Sequence, residues 1–217
     1  MDTVLSEIEA RVLGCLIEKS MATPEYYPLT LKSLTAACNQ KSNREPVMAL
    51  TEEAVASALN GLRYTHHLVY QLSVAGSRVA RFAHDAVKQL PLTDLDLALM
   101  CELMLRGPQT AGELRTHARR LCEVESVPLV VETMDGLAAL QPDAMVVKLP
   151  PAPGHREPRY AQLLNGEVDA GPEPGPPPCP TPLRDERVAA LEDKVEQLQS
   201  DVQSLRTSFD DFRTQFE

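Results

Sequence analysis

Four short words occur twice, in the same order, and that repetition constrains this chain more than any other feature. Leu5-Ser6-Glu7-Ile8-Glu9 is matched by Leu92-Thr93-Asp94-Leu95-Asp96, and Thr30-Leu31-Lys32-Ser33-Leu34 by Thr110-Ala111-Gly112-Glu113-Leu114. Leu59-Asn60-Gly61-Leu62 is matched by Met134-Asp135-Gly136-Leu137, and Arg81-Phe82-Ala83 by Arg159-Tyr160-Ala161. The offsets drift through 87, 80, 75 and 78 residues, and the drift falls in segments rich in turn residues. A fixed internal period indicates a repeated structural unit and decides the fold before any local detail does.

Each copy reads as three helices followed by two short β runs. In the first copy a Ser6 cap with Glu9 three residues on opens a helix to about Lys19. Its apolar face is Ile8, Val12, Cys15 and Leu16. A second helix runs from about Thr30 to Cys38, and a third from the Thr51 cap to about Tyr64. Runs at 68–72 and 79–83 flank Ala75-Gly76 and read as a hairpin. The second copy predicts helices over 93–105, 110–121 and 128–140, with β runs at 145–149 and 159–163. Three helices closed by a hairpin follow the winged-helix plan, a helix-turn-helix elaborated with a β wing. The expected fold class is mainly α with small β wings. It comprises winged-helix domains over 1–88 and 91–165, then a linker and a terminal helix.

The linker is residues 166–183, which hold 7 of the 18 prolines. Such a run cannot form a helix and acts as an extended spacer. Beyond it, apolar residues from Val188 through Leu191, Val195, Leu198, Val202 and Leu205 to Phe216 recur at spacings of 3 and 4. That heptad seam predicts a coiled-coil helix over 184–217 that associates two copies of the chain. A helix folded back on the globular part is the alternative.

Charge is uneven. Residues 1–90 hold 9 basic and 9 acidic side chains, residues 91–165 hold 7 and 10, and residues 166–217 hold 5 and 12. The whole-chain charge of −10 is therefore mostly a property of the tail. No stretch reaches the roughly 18 apolar residues of a membrane span. The N-terminus carries acids where an export signal would be basic. Five cysteines without a CxxC pair point to a reducing cytoplasm rather than a disulfide frame.

Enzyme signatures such as a P-loop, GxSxG or HExxH are missing. The histidines His66, His67, His84, His117 and His155 show no metal-ligand spacing. No catalytic residue, cofactor or metal is expected. The sharpest function is regulatory binding of double-stranded DNA. Its expected contacts are Lys41, Ser42, Asn43 and Arg44, ahead of the third helix, with Arg78 and Arg81 of the wing on phosphates. Against it, the third helix of copy one is net −1, and that of copy two has Glu132 and Asp135 with no base. Acidic recognition helices suit a polyanion poorly. The alternative is a protein–protein interaction scaffold that uses the same surfaces.

Across residues 4–164 the words ACNQKSNREPVM and RGPQTAGELR, with ALNGL, RVARFAH and RYAQLL, resemble the bacterial YceH-like family. That resemblance implies tandem winged helices, a bacterial cytoplasm and no settled biochemical role. It transfers no site residue.

Overall fold

The chain divides after its cap signals, much as the repeat demands. A computed structural model of the protein describes residues 4–73, 79–89, 92–142, 144–151, 154 and 156–166. These all lie within one compact unit, Met1–Glu173. The predicted coiled-coil helix, nearly all of the linker, Arg78 and His155 lie outside the described residues.

Among the described residues the fold is mixed α+β, with seven α-helices and two three-stranded antiparallel sheets. The first half runs α1 (Glu7–Ala22), β1 (Leu29–Thr30), α2 (Leu31–Cys38), α3 (Glu52–Tyr64), β2 (Val69–Leu72) and β3 (Arg81–His84). A short α4 (Ala86–Gln89) leads to the second half. That half runs α5 (Asp94–Arg106), β4 (Gln109–Thr110), α6 (Ala111–Ala118), α7 (Val127–Ala138), β5 (Val146–Leu149) and β6 (Arg159–Gln162). The sheet orders are β1-β3-β2 and β4-β6-β5, the same topology twice. The register repeats as well: Gln71 faces Phe82 across the first hairpin, and Lys148 faces Tyr160 across the second.

The helix starts follow from their caps. Ser6 with Glu9, Thr93 with Asp96, and Thr110 with Glu113 each close a reciprocal capping box. Thr30, Thr51 and Ser126 each accept a backbone N–H from three residues on. Thr30 and Thr110 do double duty, because each also ends a two-residue strand, β1 or β4, that joins the hairpin. Those strands were too short to show a period of two in the sequence.

One contiguous apolar core runs through both halves. Its centre is the contact of α1 with α5. Residues 10–18 of α1 and 97–105 of α5 are buried without interruption. Each helix therefore covers its own half on one side and the other half on the opposite side, which is why neither has a polar face. Gly14 sits at the closest approach. A Cβ there would lie 3.0 Å from Leu105 Cδ2 and 3.2 Å from Met104 Cβ. At that point the Cys101 thiol donates to the Gly14 carbonyl oxygen at 3.3 Å. Backbone bonds add to the seam: Leu5 N–H donates to Leu164 C=O at 2.6 Å and Glu45 N–H to Leu105 C=O at 2.8 Å.

Candidate functional site

The loop between α2 and α3, residues 39–50, was the expected centre of the nucleic-acid surface. Asn39 pins its two ends. The side-chain amide donates to Leu50 C=O at 2.8 Å and accepts from Leu50 N–H at 2.7 Å. Lys41 and Ser42 are exposed at its tip. Asn43 is half-buried with φ 58°, in the left-handed region that asparagine tolerates. Its side-chain oxygen accepts from Arg106 of the second half.

Arg44 is the main correction to the sequence reading. It is 5% exposed and faces inward, not toward a phosphate. Its guanidinium makes a two-point ion pair with Glu18 of α1, at 3.0 Å and 2.6 Å. Nε and Nη2 donate to Ala37 C=O at the end of α2, at 3.1 Å and 3.0 Å. The physical reason is Glu18. A carboxylate on a helix buried on every side needs a cation, and Arg44 is close enough to supply it.

The pair extends across the seam. Arg120 donates to Glu18 Oε1 at 2.5 Å and to Glu102 Oε1 of α5 at 2.7 Å. Arg106 holds the other oxygen of Glu102 at 3.1 Å. Burial pushes the Glu18 carboxyl upward, but the hydrogen bonds and charges of Arg44 and Arg120 outweigh it and hold it down at about 2. Burial alone would lower Arg44, and Glu18 more than reverses that. Nearby, Arg11 is 2% exposed and donates to Pro46 C=O at 2.8 Å. The signal for this network was present in the sequence, because Glu102 interrupts an otherwise apolar run and Glu18 directly follows one.

Arg81 is half-buried and donates to Pro28 C=O at 2.8 Å. Arg115 donates to Glu125 C=O at 3.0 Å. The exposed side chains of α3 include Glu52 and Glu53, and those of α7 include Glu132 and Asp135. Among the described residues no group of three or more His, Cys, Asp or Glu side chains is placed to hold a metal ion, and no helix is long and apolar enough to cross a membrane.

The two hairpins differ in how they finish. In the second, Tyr160 donates to Asp135 Oδ1 at 3.0 Å. Lys148 reaches the same oxygen at 3.2 Å and lies 5.4 Å from the Tyr160 ring centroid. In the first, the corresponding residues are Phe82, Asn60 and Gln71, which cannot form that cluster. Arg63 and Tyr64 stand where Ala138 and Ala139 stand in the second half. The Arg63 guanidinium stacks 4.9 Å from the Tyr64 ring centroid and 6.0 Å from that of Phe82. Beside them opens a cavity of about 410 Å³, lined in part by Arg63, Tyr64, Tyr70, Gln71 and Asp85.

These features define a mixed α+β protein built from two like halves fused through a buried charge network. The chain belongs to a family described as "Protein of unknown function, DUF480", whose model matches residues 5–155. It is 46% identical over 198 residues to a UPF0502 protein of Geotalea daltonii, which covers 89% of both chains. It is 48% identical over 200 residues to the UPF0502 protein GSU0233 of Geobacter sulfurreducens, 90% of both. A UPF0502 protein of Vibrio atlanticus is 49% identical over 173 residues, 78% of this chain and 79% of that one. The chain is thus one of a bacterial family whose description assigns no activity.

Proposed function

We propose that this chain is a non-enzymatic, cytoplasmic tandem winged-helix protein that acts as a protein-interaction scaffold. The order helix, strand, helix, helix, strand, strand, with sheet order β1-β3-β2, supports the winged-helix reading in each half. The observation that carries the scaffold reading is the fate of the cations. Arg44 is committed to Glu18 and Arg81 to Pro28, while α3 and α7 expose Glu52, Glu53, Glu132 and Asp135. A surface that keeps its acids outward and turns its arginines inward suits a protein partner better than a polyanion.

A purified chain immobilised and exposed to nuclease-treated bacterial lysate is expected to retain partners. Loss of every partner after nuclease treatment would count against the scaffold. DNA binding of a regulatory kind is the second reading, favoured by the exposed Lys41 and Ser42 at the loop tip, with Arg78 of the wing outside the described residues. A salt titration of duplex binding separates the two. Micromolar affinity that falls steeply with salt supports DNA, and no binding at low salt removes it. Self-association is assigned to residues 184–217, and deleting them is expected to give monomers by light scattering. A truncated chain that stays dimeric would place association elsewhere.

A further inference from the structure

The duplication supplies an internal control for reading surfaces, because β2 and β5 are the corresponding edge strands of the two sheets. Their sequences are Val69-Tyr70-Gln71-Leu72 and Val146-Val147-Lys148-Leu149. In the first hairpin Asp85 N–H donates to Leu68 C=O at 2.7 Å. With the register Tyr70↔Ala83 and Leu72↔Arg81, the alternating ladder bonds fall on those pairs. The backbone N–H and C=O groups of Val69 and Gln71 therefore point to the outer edge, but Val69 is only 4% exposed, so the edge is open at Gln71. Exposed edges of this kind invite a further strand, and proteins commonly guard them with charge, especially lysine.

The second half carries that lysine on the edge strand itself, whereas in the first a lysine of α4, Lys88, lies 5.7 Å from the Tyr70 ring centroid and off the strand. Lys148 sits mid-edge on β5, tied to Asp135 and lying against Tyr160, and Leu149 is 4% exposed. On β2 the matching Gln71 is neutral, and Tyr70 and Leu72 are 40% and 37% exposed. The edge borders the cavity rimmed by Arg63 and Tyr64. Asp85 is already paired with Lys88 at 3.1 Å, whereas Arg63 has stacking partners but no carboxylate among the described residues. An unpaired, half-buried guanidinium beside an open strand edge complements a strand that carries an acid.

We propose that the outer edge of β2 docks an extended acidic peptide segment of a partner protein, which pairs its backbone with Gln71 and seats a carboxylate on Arg63. Main-chain pairing supplies the docking and the side-chain contacts select the sequence. This deepens the scaffold reading and rests on it.

The test is an amide NMR titration of the full chain with the peptide acetyl-Val-Glu-Val-Glu-Val-amide. Saturable shifts at Gln71 and its neighbours are expected. Replacing Glu by Lys in the peptide, or Arg63 by Gln in the protein, is expected to weaken binding at least tenfold. Gln71→Pro removes an outward N–H but no ladder bond, so it should leave the fold intact and weaken binding by a similar factor. No saturable shift into the millimolar range overturns the proposal, as does equal binding of the Lys peptide. Shifts on another surface would overturn this site while leaving the scaffold reading standing. Shifts at β2 that grow with protein concentration alone would mean that a second copy occupies the edge. If only duplex DNA moves the spectrum, both readings fall.

Discussion

The two halves share a register, a sheet order and a set of caps, yet they treat the outer face of their hairpins in opposite ways. In the second half Asp135, Lys148 and Tyr160 close on one another, and two alanines follow them on α7. In the first half Asn60, Gln71 and Phe82 leave the same place open, and Arg63 and Tyr64 crowd its rim. The inward faces differ far less, since both first helices are buried all round. A duplicated unit is free to diverge where it meets solvent. It is held where the copies meet each other, because close-packed interiors tolerate little change in volume or charge.

The strongest way to break this comparison is to attack the seam. Glu18→Ala leaves Arg44 buried and Arg120 half-paired, and loss of one partner of a buried pair costs about 3–5 kcal/mol. Urea unfolding followed at residues of both halves should show them lose stability together. Melting of the first half alone would show the halves to be independent.

Acid acts on the same carboxyl. The folded Glu18 value of about 2 lies below the ordinary 4.5. Its contribution is therefore complete above roughly pH 4.5 and lost as pH falls toward 2, amounting to roughly 3 kcal/mol. Denaturation midpoints should drop across that window in the native chain, and Glu18→Gln should flatten the fall. An unchanged slope in Glu18→Gln would assign the acid sensitivity to other groups.

Gly14→Leu tests the helix crossing. The added side chain meets Leu105 and Met104 at van der Waals distance or less, and overpacking typically costs about 1–3 kcal/mol. A smaller penalty than for an exposed control on α3 would mean that α1 and α5 can part. The mildest effect is expected at the closed hairpin. Tyr160→Phe removes its bond to Asp135 at a cost of about 0.5–1.5 kcal/mol, by thermal or urea unfolding. The reverse change, Phe82→Tyr with Asn60→Asp, should stabilise the first half by at most a similar amount. A larger gain would mean that the open face is strained rather than merely unpartnered.

Much of this architecture was legible because caps and periods are local. Ser6, Thr30, Thr51, Thr93 and Thr110 mark helix starts to within a residue, and both hairpins lie close to where alternation placed them. The second half's middle helix was read three residues too long, to Leu121, because apolar Ala118 and Leu121 continue its period past its end at Ala118. What failed to read through is what depends on contact between distant residues. Leu13 and Ile17 lie off the face assigned to α1, yet both are buried. Arg44 sits in a polar loop and looked like a surface group. Only its distance to Glu18, 26 positions away, reveals otherwise. Acids inside or at the end of apolar runs, such as Glu102 and Glu18, are the legible trace of such partners.

Arg120 reaches one glutamate from each half. Neither half is therefore a portable piece. A gene fragment encoding residues up to the junction would leave Glu18 with Arg44 alone and bare an oily helix flank, and one encoding the remainder would leave Arg120 with Glu102 alone. The two copies share one interior, so each would lose part of it on separation.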